Sequence, residues 1–406
     1  MKKVLACALI ASMSASLLAG CGKKTESIHL KVWCPANQVE TGIMEQQQKA
    51  FAEAHPDWNI TWTTEIVGED KAKENVLRDV EAAGDVYFFT SDQLVELVDA
   101  GAVARLGGET ERMVNETIDP FAVSTAKKDD ALYGIPFTHN TFYMYYDKTL
   151  LDENDIQSIE SIMAKETADN VYNFYFESAG GWKLGAWYYG AGLNVFGPKG
   201  DDPAAGVDWN NDTGVAVTNY LIDLINNPKC AYDSEITVTD LIPDHRLAAW
   251  FDGSWNDQIY EKILGENLGR AVIPTYNLNG EQVRLKGFYG SKCIGVNPHS
   301  KNMEAAVAFA AFLGNEENQM LRYEKSGQIP ANVNAAASEA VQADPLTTVI
   351  LSEVEIASVV QPASSLFGSR YWTYANTIPT EIRSGVLNKD NVQAKMDTFV
   401  SQMTAK

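Results

Sequence analysis

The first third of the chain switches its hydrophobic period from two to about 3.6 and back, three times over, and that rhythm limits the folds open to it. HLKVW (29–33) reads as a strand, and residues 43–54 carry Ile43, Met44, Gln47 and Phe51 at helical spacing. NITWTTE (59–65) alternates as a half-buried strand, and residues 71–83 return to helical spacing with Val76, Leu77 and Val80. DVYFF (85–89) is a nearly unbroken apolar run, as a central parallel strand requires. Ser91 then stands where it can cap a helix through Val98 that stops at Gly101. This order predicts an open, mostly parallel α/β sheet whose ligands sit beyond the carboxyl ends of the strands. Those ends are Trp33 with its following loop, and Phe89-Thr90-Ser91-Asp92.

Further along, YGIPF (133–137) and FYMYYD (142–147) read as two extended pieces separated by THNT. A mostly helical region with short strands such as AVIPTY (271–276) follows, to about residue 285. GFYGSKCIGVNP (287–298) resumes an extended pattern, residues 302–313 form an Ala-rich helix, and the helical remainder breaks at Pro330, Pro345 and Pro362. A chain of 406 residues favours two domains. The extended segments near 135–145 and 284–290 are where it is expected to cross between them.

Three aromatic stretches raise the question of packing against ligand contact. In GGWKLGAWYYGAGLN (180–194), a turn of 100° per residue places Leu184, Trp187, Tyr188 and Ala191 on one stripe, the usual core pattern. Trp182, Ala186 and Tyr189 fall opposite, facing either a second layer or a ligand. In GSRYWTYANTIPTEI (368–382), Tyr371, Ala375, Ile378 and Ile382 form a core stripe, with Trp372 and Asn376 together on a neighbouring face. That pair suits stacking plus a hydrogen bond, or equally a half-buried surface Trp. In FDGSWNDQIYEKIL (251–264), Ser254 and Asp257 resemble a capping box, and Trp255 borders a stripe of Ile259, Tyr260 and Ile263.

The formal charge of −22 argues against nucleic acid as a partner, because nothing here would neutralise phosphates. The start of the chain is more informative. Lys2 and Lys3 precede an apolar run over residues 4–18, which reads as a secretory signal too short for a membrane span. It ends in Leu18-Ala19-Gly20-Cys21, which resembles the lipobox of bacterial lipoproteins, with Cys21 the lipidated mature N-terminus. The expectation is a soluble body tethered to the outside of the cell membrane by acyl chains. Cys34, Cys230 and Cys293 remain, enough for one disulfide at most. The five histidines are scattered, with no C-x-x-C and no H-x-x-x-H, so no local motif binds metal and no cofactor is expected.

Enzyme signatures are missing: the chain has no G-x-S-x-G, Walker A, strand-linked G-x-G-x-x-G or zincin motif. A glycosidase's two carboxylates could be nominated among many acids, but their separation is a three-dimensional fact. Aromatics at strand ends and on non-core helix faces, beside short planar polar side chains, suit sugars. A pyranose packs its C–H patches on an indole face, and its hydroxyls need Asp, Asn and Gln partners.

These residues carry a family resemblance. LAGC, the strand ending in Trp33, DVYFF followed by TSDQL, and YGIPF…YYDKTLL resemble bacterial extracellular solute-binding proteins of sugar ABC transporters. FDGSW (251–255), GFYG…IGVNPHSKN (287–302) and SGQIPAN (326–332) continue the resemblance, which is strongest to the maltose/maltodextrin-binding subgroup. It implies a non-enzymatic, two-lobed receptor that closes on malto-oligosaccharide and delivers it to membrane permease subunits, with monomer as the default. Residues 28–139 plus 288–344 would form the N-lobe, and 140–287 plus 345–406 the C-lobe, after a signal (1–20) and a tether (21–27). The implied contacts are Trp33, Phe89 in place of a more usual Trp, and Asp92, with Asn37 and Gln38 nearby. Asn140 falls where the family often has an acid. Trp182, Trp255 and Trp372, with Asn376, supply the second lobe. His245-Arg246 replaces a position that is often small, and Gln93 stands where a basic residue is common. A receptor for another oligosaccharide or polyol, a secreted glycosidase and a surface protein that holds a protein partner stay open as alternatives.

Overall fold

The computed structural model describes residues 26–178 and 180–405. Cys21 and the preceding apolar segment lie outside them. Two sheets organise the rest. In the first, the order is Ser358–Val360, Gly287–Val296, Val86–Thr90, Glu26–Cys34, Trp58–Ile66, with Ile135–Asn140 also paired to Gly287–Val296. The strands read from the first third of the sequence are its parallel part, with Cys34 opposite Ile66 and Val32 opposite Val86. The crossing strand Gly287–Val296 runs antiparallel to Val86–Thr90 and to Ile135–Asn140. The second sheet is ordered Leu268–Ala271, Phe142–Asp147, Leu247–Gly253, Tyr172–Phe176, Cys230–Tyr232. It too mixes directions, because Phe142–Asp147 arrives antiparallel to both of its neighbours. Each lobe therefore joins a parallel set to antiparallel strands at the crossings.

Only Thr141 separates Ile135–Asn140 in the first sheet from Phe142–Asp147 in the second. Its hydroxyl donates to the Phe288 carbonyl at 3.1 Å, tying this crossing to the next one. Gly287–Tyr289 in turn pairs with Ser358–Val360, so three passages between the lobes run side by side. In the second lobe the alternation of Phe142–Asp147 sorts side chains between two cores. Phe142, Met144 and Tyr146 join the cluster that contains Trp187, Tyr188 and Tyr371, while Tyr143 and Tyr145 join the cluster around Trp250 and Tyr260. That second cluster also holds Val341, Leu346 and Ile350, so the chain is already packed on the second lobe before residue 345. Its last pairing to the first lobe in this stretch is the bridge of Asn332 to Ile118.

The glycines in the aromatic helix Gly181–Gly190 make room for close neighbours. A Cβ on Gly185 would meet the Tyr371 hydroxyl at 2.7 Å and the Phe288 ring at 3.0 Å. The face opposite the expected core stripe is buried as well: Tyr189 lies edge-on to Phe288 at 5.0 Å. Trp187 and Tyr188 are core residues, with Tyr188 stacked on Trp209 at 3.8 Å. Only Trp182 on that face reaches the space between the lobes.

Candidate functional site

Beyond the carboxyl ends of both sheets lies a cleft of about 370 Å³. From the first lobe, Thr90 and Asp92 enter it at the end of Val86–Thr90, and Asn140 at the last residue before the crossing. Glu69 and Asp70 come from the turn after Trp58–Ile66, and Lys292 from the crossing strand Gly287–Val296. The other lobe contributes Trp182, Trp255 and Trp372, and Gln361 enters at a crossing, just past Ser358–Val360, the edge strand of the first sheet. The three indoles on that side are joined, on the other, mainly by carboxylate and amide oxygens.

Each indole is held by its local structure. Trp182 opens the helix Gly181–Gly190, lies edge-on to Phe142 at 4.9 Å, and donates its N–H to Gln361 Oε1 at 2.9 Å. Trp255 lies 5.8 Å from Trp182, centroid to centroid, at an interplanar angle of 36°. Its ring folds back over the strand end, where a Cβ on Gly253 would stand 2.1 Å from it, so a side chain there would push the indole out of this position. Trp255 is 39% exposed. Trp372 stands on the helix Ser365–Ala375, edge-on to Tyr371 at 4.9 Å and to Phe288 at 6.2 Å.

Burial pushes the Asp92 carboxyl above its ordinary pKa, with a hydrogen bond from Thr90, a backbone hydrogen bond and the Lys73 charge acting the other way. On the far side of the Trp182–Trp255 pair, Lys183 sits 2.5 Å from Glu177 and 3.8 Å from Asp252. Burial works against its charge, but Asp252 and Glu177 outweigh that and raise its pKa.

Of the residues expected from sequence to meet ligand, Asp92, Asn140, Trp182, Trp255 and Trp372 line this cleft, and three do not. Phe89 is completely buried: its side chain alternates to the Tyr87 side of the strand, into space left by Gly134 and Gly295. Trp33 is 8% exposed and committed elsewhere, its N–H donating to Glu65 at 2.6 Å with the Lys31 ammonium over its ring. Asn376 uses its side-chain oxygen to accept the Gly181 N–H at 2.8 Å, at the start of the Trp182 helix. Gln38 is likewise structural, donating to Gln328 and accepting from the buried Arg322. Asp257 does not act as a cap but pairs with Arg270 at 2.6 Å and 2.8 Å. His245 contacts Asp147 at 2.6 Å, at the end of its strand remote from Thr141. Thr90 belongs to the strand end read from sequence as ligand-facing, whereas Glu69, Asp70, Lys292 and Gln361 escaped the sequence reading. For Glu69 and Asp70 a signal existed, a Gly-Glu-Asp turn directly after a strand. Among the described residues no His, Cys, Asp and Glu group is arranged to hold a metal ion, and no helix is long and apolar enough to cross a membrane.

Comparison with known proteins agrees with this architecture. The family model for bacterial extracellular solute-binding proteins matches residues 46–349, more than half of the chain, and the chain belongs to that family. A galactooligosaccharide-binding protein of Bacillus subtilis is 23% identical over 98% of this chain and 96% of its own length. A maltooligosaccharide ABC transporter solute-binding lipoprotein of Streptococcus pneumoniae is 28% identical over 63% of this chain and 61% of its own. A solved structure determined with acarbose is 37% identical, with a TM-score of 0.86 over 93% of this chain and 98% of that one. The maltodextrin-binding protein MalE1 of L. casei, solved without ligand, is 25% identical with a TM-score of 0.81, covering 93% and 99%.

Proposed function

We propose that the chain is a non-catalytic receptor that captures malto-oligosaccharides between its lobes and hands them to the permease of an ABC transporter. The observation that carries this reading is the set of three indoles, Trp182, Trp255 and Trp372, facing Asp92, Asn140 and Glu69 across one cleft. Indole faces suit the C–H patches of a pyranose, and the oxygens opposite suit its hydroxyls. Relatives named for malto-oligosaccharides and the likeness to MalE1 support the same ligand class. Side-by-side crossings at Thr141 and Gly287–Tyr289 favour closure by rotation of one lobe against the other. Cys21 at the end of the lipobox would anchor the receptor to the outer face of the cell membrane, and it would act as a monomer.

Calorimetric titration with maltose through maltohexaose tests the ligand, and prolonged incubation with the same sugars tests for turnover. Saturable one-to-one binding without products is the expected result. The full-length relative named for galactooligosaccharides supports a second reading, a receptor for that glycan, and the same titration with galactooligosaccharides decides between them. The anchor is tested by Cys21→Ala, which should release the protein into the medium.

A further inference from the structure

Among the described residues that line the cleft, Lys292 is the one cation beside Glu69, Asp70 and Asp92. It extends from the first lobe, on the strand paired to Thr90 and Thr138, yet its ammonium lies over the Trp255 ring of the second lobe at 5.1 Å. Gly253 backs part of that ring and Trp182 stands beside it, so the ammonium lies over surface a sugar would otherwise use. The same ammonium is 3.5 Å from Glu69 Oε1, too far for a good charge-assisted hydrogen bond, and that buried oxygen has no other hydrogen-bond partner. Lysine has a flexible four-carbon stem and a compact charge, so it can move between two such partners where arginine's fork would not.

Building on the receptor reading above, we propose that Lys292 is an affinity-determining residue of the cleft. In the absence of sugar it shields the Trp255 ring, and it moves onto Glu69 before a pyranose stacks there. Its retreat satisfies the orphan Glu69 oxygen and offsets part of the lost cation–π contact. The shield also discriminates among ligands. A neutral pyranose replaces the ammonium on the ring, whereas a small apolar molecule gains no hydroxyl contacts in exchange for displacing it.

The test uses the full chain titrated with maltotriose. Removing the cation by Lys292→Met should tighten binding about 2- to 30-fold, the range that loss of one cation–π contact allows. Lys292→Arg, which keeps a cation over the ring and yields it less readily to Glu69, should bind no more tightly than the parent. In a Trp255→Leu background the Lys292→Met gain should vanish, which a purely structural role for Lys292 would not produce. A sugar-free measurement accompanies these: acrylamide should quench more indole fluorescence in Lys292→Met than in the parent, and this difference should also vanish with Trp255→Leu. Unchanged or weaker binding by a folded Lys292→Met variant would overturn the proposal, as would a gain that persists without Trp255. If the parent bound no glycan, the receptor reading would fall by itself. The quenching comparison would still decide whether Lys292 shields Trp255, and equal quenching would overturn the shield.

Discussion

Trp182 and Gln361, 179 positions apart in sequence, are joined by a 2.9 Å hydrogen bond from the indole N–H to the side-chain oxygen. The bond fixes the aim of one cleft indole through a residue at a crossing between the lobes. Gln361→Leu should leave the indole N–H unpartnered and the ring free to turn, lowering malto-oligosaccharide affinity about tenfold. Calorimetry against the parent checks this. Unchanged affinity would mean that packing on Phe142 alone orients the ring.

Asn376 makes an opposite prediction. Its oxygen accepts the first N–H of the Trp182 helix, so Asn376→Ala should cost stability of about 1 kcal/mol, as loss of a helix cap does. A melting temperature lower by about 2 °C is expected, with sugar affinity changed less than threefold. A large loss of affinity at unchanged melting temperature would instead give Asn376 a direct contact with the sugar.

These two residues also show how much of the site was legible in sequence. Helical periodicity correctly separated Tyr371, Ala375, Ile378 and Ile382, all buried, from Trp372 on the next face. It could not show that Asn376 reaches across to Gly181, a contact between elements 195 positions apart. The strands of the first lobe were readable because each is a short, strongly patterned run. Phe89 was misplaced because a strand buried on both faces has no polar alternation to tell which face an aromatic takes. Lys292 and Gln361 belong to segments that return late to the cleft. Their neighbours in space, Trp255 and Trp182, are set by topology and not by local spacing.

Asp92 ties stability to pH. Burial raises its pKa in the folded state above the value in the unfolded chain, so folding favours its protonated form. The stability this group contributes is full below the ordinary Asp value of about 3.9 and is lost as pH rises through the higher folded value. Asp92→Asn should therefore melt at a higher temperature than the parent at pH 7, and the difference should close at about pH 3. The same substitution should weaken sugar binding about tenfold or more, since a charged acceptor is lost. Melting curves across pH, paired with titrations, check both effects. A lower melting temperature for the variant at pH 7 would show that the carboxylate's partners outweigh its burial.

Cys34, Cys230 and Cys293 are buried free thiols, and burial pushes each pKa up to about 12. At pH 8 almost none of any of them is thiolate, and the thiolate is the reactive form. A thiol reagent should label none of the three in the native protein and all three after denaturation. Rapid labelling of Cys34 without denaturant would mean that the first strand's end opens to solvent.

The single residue between the crossing strands has a further consequence for the chain's history. Strand side chains alternate faces, so one residue added beside Thr141 would not lengthen a linker but would invert every position from Phe142 to Asp147. Phe142, Met144 and Tyr146 would exchange cores with Tyr143 and Tyr145, and two buried tyrosine hydroxyls bonded to each other at 2.6 Å would face the wrong layer. The crossing thus behaves as a reading frame. Insertions and deletions can accumulate in surface turns such as the exposed residues 201–205, but a change of odd length at Thr141 scrambles the second lobe.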